Sequence, residues 1–277
     1  MTPSHVLVTA DWLAEHLHDS QIAIADCRFS LADPDLGRQQ YLTSHIPGAY
    51  YLDLNRDLSS PVKPHGGRHP FPESQQLVKT LAAMGIKSGT TDAASLVVAY
   101  DDSKFAFAAR LWWLLRYLGH DRVVVLDGGW SGWQAAGHPV TDQLPSPRSG
   151  NFVTQLQHDR IVNIDTVKAH KDLPEVALVD SRDRDRYLGE REPIDPIAGH
   201  IPGAVNYPWK GVSDAQGYLL PASEQAKRWA TLDSPDEILV YCGSGVTACV
   251  NLLSLELAGI QTGKLYAGSW SDWISYL

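Results

Sequence analysis

The stretch Glu237-Ile-Leu-Val-Tyr-Cys-Gly-Ser-Gly-Val-Thr-Ala248 decides the fold. Its first five residues are a short apolar run of the kind that makes a buried parallel strand. Beyond it, Val246, Val250, Leu253, Leu257 and Ile260 recur at helical spacing toward a stop near Gly259 and Gly263, so the loop between them opens a helix. Cys242 stands at the mouth of that loop. Six successive backbone N–H groups follow it, two of them from Gly243 and Gly245, and a nest of amides at a helix N-terminus stabilises an anion without any charged side chain. Cysteines in such settings ionise at roughly 3.5 to 7.5 rather than about 8.5. Cys242 is therefore expected to be largely thiolate at neutral pH.

Composition bounds the rest. A chain of 277 residues, 44% hydrophobic and 20% charged, has the length for two ordinary domains with a core each. A formal net charge of -9 argues against a nucleic-acid partner, which needs a concentrated basic surface. Three cysteines without C-x-x-C spacing make neither a disulfide framework nor a zinc site and suit a reducing compartment. The opening Met1-Thr-Pro-Ser-His-Val-Leu-Val lacks the basic and apolar segments of a signal peptide, and no run approaches the ~18 apolar residues of a membrane span. These features predict a cytoplasmic protein without membrane contact, and no ligand cluster predicts a metal.

The chain repeats itself. Ile22–Asp26, His45-Ile-Pro-Gly-Ala49, Ser95–Tyr100, a helical pattern from Phe105 to Leu118, Val123–Asp127 and Gly128-Gly-Trp130 are answered in order. The answering elements are Val176–Asp180, His200-Ile-Pro-Gly-Ala204, Ile238–Tyr241, a helical pattern from Val246 to Ala258, Lys264–Tyr266 and Gly268-Ser-Trp270. Short apolar strands alternating with helices predict two α/β domains, each a mostly parallel sheet with helices on both faces. Residues 1–140 form the first, 160–277 the second, and 141–159, rich in Pro, Ser and Gly, the linker. Where the second copy has Tyr241-Cys242, the first has Tyr100-Asp101. A carboxylate is no sulfur nucleophile, so the first domain is expected to be chemically silent.

These residues resemble the rhodanese family of tandem-domain sulfurtransferases along nearly the whole chain. Asp180-Ser-Arg182, Gly199-His-Ile-Pro-Gly-Ala204 and the loop ending in Gly245-Val-Thr247 carry the resemblance, and the loop is closest to the 3-mercaptopyruvate sulfurtransferase branch. The resemblance implies that Cys242 attacks the sulfane sulfur of an anionic donor, 3-mercaptopyruvate or thiosulfate. It becomes a persulfide and passes the outer sulfur to a thiol, a thioredoxin-like protein or cyanide, with no cofactor. Gly243, Ser244, Gly245, Val246 and Thr247 would cradle the sulfur, the two hydroxyls donating hydrogen bonds to it or to a donor oxyanion.

Arg186 matches the family's substrate-binding arginine, a bidentate role that lysine fills poorly, whereas Arg182, Asp183, Arg184 and Asp185 read as a solvated run of alternating charge. The mercaptopyruvate branch carries a second arginine after a Glu-Pro dipeptide; here Glu192-Pro193 is followed by Ile194-Asp195, nearer the thiosulfate branch, and Arg191 is the candidate substitute. His69, in Gly66-Gly-Arg-His69-Pro-Phe-Pro72, stands where the family has a histidine reaching the active site, though a loop histidine is also ordinary surface. The His-Ile-Pro-Gly-Ala turns read as structural. Counted along a helix, Cys249 falls some 10 Å beyond Cys242 and reads as a buried structural thiol. Related phosphatases need C-x5-R, but the sixth residue after Cys242 is Ala248, which disfavours phosphoryl chemistry. The remaining alternatives are a thiosulfate-specific enzyme and a non-enzymatic binding module.

Overall fold

A computed structural model of the chain describes residues 6–232 and 235–277; the first five residues of the N-terminal stretch read above lie outside them. The chain forms two compact units. One holds the chain up to Ser60, Pro72–Gln157 and Asp214–Leu219; the other holds Pro61–Phe71, His158–Ser213 and Leu220–Leu277. The segment carrying Arg68 and His69 thus precedes most of the first unit in sequence yet belongs to the second.

Each unit is built on a five-stranded parallel sheet. In the first, β1 (Leu7–Val8), β2 (Ile22–Asp26), β3 (Tyr50–Tyr51), β4 (Leu96–Tyr100) and β5 (Val123–Leu126) lie in the order β1-β5-β4-β2-β3. Its helices are α1 (Ala10–Glu15), α2 (Leu36–Thr43), α3 (Ser74–Ala83), α4 (Ala108–Tyr117) and α5 (Gly129–Ala135). The second repeats the plan with β6 (Ile161–Val162), β7 (Val176–Asp180), β8 (Val205–Asn206), β9 (Glu237–Tyr241) and β10 (Gly263–Tyr266), in the order β6-β10-β9-β7-β8. Its helices are α6 (Ile164–His170), α7 (Arg184–Tyr187), α8 (Ala222–Trp229), α9 (Ala248–Leu257) and α10 (Ser269–Trp273).

Strand residues alternate between two covered faces. Val98 and Tyr100 pack with Leu13, Trp130 and Trp133 of α1 and α5, while α4 packs on the same strands and buries Val97 and Ala99. The second unit matches: Leu239 and Tyr241 join Val167, Trp270 and Trp273, and α9 covers β9 and β10. The His-Ile-Pro-Gly-Ala turns are packing devices in both units. His45 stacks on Tyr41 at 4.0 Å, and His200 on Tyr187 at 3.9 Å. The two tyrosine hydroxyls donate to the carbonyls of Ala49 and Ala204.

The first unit also shows what stands in place of Cys242. Asp101 follows β4 and is buried. One carboxylate oxygen accepts the amides of Ser103 and Phe105 at 2.7 and 3.1 Å, the other those of Phe107 and Ala108 at 2.8 Å each. The amide nest survives, filled by the chain's own carboxylate, and the loop turns through left-handed Lys104 and Phe105 (φ 54° and 70°) where glycine is the easier residue.

Composition marks 141–159 as a linker; in the structure this stretch is tied along the first unit as far as Gln157. Thr141 bridges to His45, Arg148 to Met84 and Asn151 to Lys87. Its backbone groups find partners there, a demand that Pro- and Ser-rich composition does not reveal.

His120 follows α4 and is fully buried. Its Nδ1 accepts the amide of Gly89 at 3.2 Å, so protonation there destroys the bond. Burial pulls its pKa down to about 4. The folded state thus binds the proton less readily than the unfolded chain, whose histidine titrates near 6.5. The associated stability is complete above that pH and is lost as pH falls toward 4, on the order of 3 kcal/mol in all. Urea unfolding at pH 7 and pH 4.5 is expected to show a steeper acid loss in wild type than in His120→Leu; equal losses contradict it.

Candidate functional site

The loop between β9 and α9 is held from two sides. Ser269, forced to a left-handed φ of 57°, accepts the Cys242 amide on its hydroxyl at 3.1 Å. The amides of Trp270 and Ser271 donate to the carbonyls of Cys242 and Gly243 at 3.0 and 2.9 Å. Gly245 has φ +77°, and a Cβ there would lie 2.3 Å from the carbonyl oxygen of Ala267, so no larger residue fits this turn.

Within the loop Cys242 is only 2% exposed, and its sulfur accepts the Gly245 amide at 3.2 Å. Burial by itself pushes the thiol up. The Thr247 hydroxyl and the amides of Ser244, Ala248 and Gly245 outweigh it, and the pKa falls below the ordinary thiol value. The leading donors are one hydroxyl and three of the six amides expected from the loop's length. Thr247 makes no capping bond with its side chain, which leaves its hydroxyl for the sulfur.

Around the loop lies a cluster of charge. Tyr187, locked under His200, ends the single turn of α7, so the preceding Arg186 is aimed by that stack. Its Nε and Nη2 donate to the two oxygens of Glu192 at 3.1 and 2.7 Å, and Nη2 also reaches Asp195 at 3.2 Å. Arg68 pairs with the other oxygen of Asp195. A Cβ on Gly243 would lie 3.0 Å from Arg68 Nη2 and 3.5 and 3.6 Å from Arg186 Nη2 and Nη1. The bare glycine therefore leaves room where two guanidiniums face the loop. Burial lowers the pKa of Arg68, opposed by the charge of Cys242 and reinforced by that of Arg186; all three groups share one field.

The segment 61–71 is pinned beside them. The Gly66 amide donates to Asp272 at 2.7 Å and the Arg68 amide to Ser271 at 3.1 Å, and Gly67 (φ +81°) passes so near the Gly268 carbonyl that a Cβ would lie 2.4 Å from it. This arch also delivers His69, which is buried and hydrogen-bonded through Nδ1 to the Ser244 hydroxyl at 2.7 Å.

Of the residues singled out by sequence, Arg186, His69 and the loop from Cys242 to Thr247 come together. Arg191 does not join them: half exposed, it pairs with Asp185 at 2.6 Å. Arg68 is the second arginine beside the loop, unmarked in the sequence except by its neighbour His69. Arg182 is also corrected. Far from being solvated, it is buried in a pair with Asp180 at 2.6 Å, donates to the Gly199 carbonyl and lies over Trp270 at 4.9 Å. The first unit repeats this with Arg28, Asp26 and Trp130. An alternating charge pattern carries no sign of burial when each partner sits two residues away. Cys249 is buried, and its thiol donates to the Gly245 carbonyl at 3.4 Å. Residues 242–247 are loop and not helix, so the 10 Å helical separation does not apply. Among the described residues no cluster suited to a metal ion is found, and no helix is long and apolar enough to cross a membrane.

Comparison with known proteins agrees with this architecture. The rhodanese-like domain model matches residues 9–136 and again 163–276. The chain is 45% identical over 274 residues to a probable 3-mercaptopyruvate sulfurtransferase of Pseudomonas aeruginosa, with 97% of this chain and 95% of that one covered. It is 30% identical over 283 residues to thiosulfate sulfurtransferase of Bos taurus, covering 96% and 91%. The solved structure of 3-mercaptopyruvate sulfurtransferase from Leishmania major superposes with a TM-score of 0.82 at 30% identity, over 100% of this chain and 76% of that one. Two matched domains and relatives similar over most of their length show that the chain belongs to the tandem-domain rhodanese family of sulfurtransferases.

Proposed function

We propose that the protein moves a sulfane sulfur from 3-mercaptopyruvate, in preference to thiosulfate, through a persulfide on Cys242 to a thiol or thioredoxin-like acceptor or to cyanide. The observation that carries this reading is a buried thiol of lowered pKa, in an amide nest whose Gly243 is faced by two arginines. The thiolate attacks the donor sulfur, and an S–S bond forms as the C–S bond breaks. The electron pair passes to carbon as the pyruvate enolate, which takes the proton of the former donor thiol. Arg186 and Arg68 bind the donor carboxylate. Thr247 and the loop amides hold first the thiolate and then the persulfide, whose outer sulfur is also anionic. Ser244, held by His69, stands beside the sulfur as a donor to the developing enolate oxygen. Attack by the acceptor thiolate on the outer sulfur restores Cys242.

Thiosulfate remains the second reading because Ile194 follows Glu192-Pro193 where the mercaptopyruvate branch has arginine. Three free cysteines and the need for a reduced thiol support a cytoplasmic location. Incubation with either donor followed by intact mass measurement is expected to add one sulfur atom to the wild-type protein. No gain with either donor defeats the reading. Comparing kcat/KM for the two donors decides the preference.

A further inference from the structure

Asp195 is a buried carboxylate placed against the donor-binding arginines. One of its oxygens pairs with Arg68 and the other lies 3.2 Å from Arg186. Its own amide donates to Glu192 at 3.1 Å, which fixes the turn that presents it. Glu192 is already engaged by Arg182 at 3.3 Å and Arg186 at 2.7 Å, and Arg182 by Asp180 at 2.6 Å. Three guanidiniums therefore meet three carboxylates, Asp180, Glu192 and Asp195, and the cluster is neutral before thiolate and donor add their charges. Arg68 turns Nη1 to Asp195 and Nη2 toward Gly243, while Arg186 gives its Nε–Nη2 edge to Glu192, reaches Asp195 with the same Nη2 and keeps Nη1 and Nη2 within 3.6 Å of a Cβ built on Gly243.

We propose that Asp195 is a specificity-determining residue, setting the charge of the arginine pair so that it favours a monoanionic donor over a dianionic one. This rests on the sulfurtransferase reading above. At neutral pH 3-mercaptopyruvate presents one carboxylate and a protonated thiol, whereas thiosulfate carries two negative charges. Both donors leave Cys242 with the same persulfide; the second releases sulfite as its S–S bond breaks and the electron pair stays on the departing sulfur. They differ in the charge that must enter beside Asp195, where one added like charge in a buried site weakens binding by about tenfold or more. Asp195 acts through the arginines and touches no reacting atom.

Replacing Asp195 with asparagine keeps shape and removes charge. The ratio of kcat/KM for thiosulfate to that for 3-mercaptopyruvate is expected to rise at least about tenfold, mainly through a lower KM for thiosulfate, while Asp195→Glu keeps the ratio near that of wild type. In the unaltered protein, methanesulfonate is expected to compete with the donor more tightly than sulfate, a measurement independent of whether the variants fold. A ratio unchanged in Asp195→Asn, an equal rise in Asp195→Glu, or tighter inhibition by sulfate overturns the proposal. If wild type accepts sulfur from neither donor, the sulfurtransferase reading itself fails; if it accepts sulfur and the ratio stays put, only the role of Asp195 does.

Discussion

Cys242→Ser is expected to end sulfur transfer from either donor, with kcat/KM reduced by at least about 10⁴-fold. Serine fits the space, so the loop, still pinned by Ser269, Trp270 and Ser271, is expected to keep its fold. The chemistry fails because a serine hydroxyl ionises far less readily than the thiol of Cys242, whose pKa the nest holds below the ordinary thiol value, and because oxygen cannot carry sulfur as a persulfide. Cys249 offers no rescue, since its thiol is buried and spent on the Gly245 carbonyl. Intact mass after donor treatment is expected to show no added sulfur in this variant, and sulfur gained by it would mean another thiol is the carrier.

The same loop carries a pH signature. The folded Cys242 pKa lies below the thiol's ordinary value, so its contribution to stability is complete above about 8.5, the unfolded value, and is lost as pH falls through the lowered folded value. Iodoacetamide modification is expected to reach half its maximal rate at a pH below that of a free cysteine. Thr247→Val is expected to move the midpoint upward, because it removes the side-chain donor and leaves the amides. An unmoved midpoint would assign the shift to the amides alone.

Arg186→Ala is the second large effect, a loss of about 10²- to 10³-fold in kcat/KM for either anionic donor. Its guanidinium is oriented in advance by Glu192 and by the turn ending at Tyr187, so little freedom remains to be lost when a donor carboxylate binds. Lysine at this position restores charge but not the planar fork, and Arg186→Lys is expected to recover only part of the loss. Stability is expected to fall by about 2 kcal/mol, less than for a buried ion pair broken outright, because Glu192 keeps Arg182 and Asp195 keeps Arg68. A variant with both donors within about threefold of wild type would remove Arg186 from the binding site, whatever its melting temperature.

Much of this protein could be read before any coordinates. The paired apolar strands, the twin His-Ile-Pro-Gly-Ala turns and the strand-loop-helix around Cys242 are short-range signals, each contained within a few residues, and they specify local structure. Asp101 against Cys242 likewise marked a difference between the two units, because aligned repeats expose a change of chemistry at a single position. The charged residues obeyed no such local rule. Arg182 reads as surface and is buried against Asp180; Arg191 reads as a substitute for a second binding arginine and faces Asp185; Arg68 reads as the neighbour of a histidine and stands beside the Cys242 loop. Whether a charge is solvated, paired or held for a ligand depends on how the packed fold buries it and on which groups it brings within 4 Å, whether near in sequence, as Asp180 is to Arg182, or far, as Asp195 is from Arg68.

The sequence by itself determined two α/β repeats, one amide nest around a cysteine and the kind of reaction that its family performs. Tertiary structure decided the composition of the charged cluster beside the loop, by carrying residues 61–71 into the second unit and closing Asp195 between Arg68 and Arg186. The physical reason is range: hydrophobic periodicity and turn chemistry act between near neighbours, whereas the charge of a buried cluster is a sum over groups that only folding assembles.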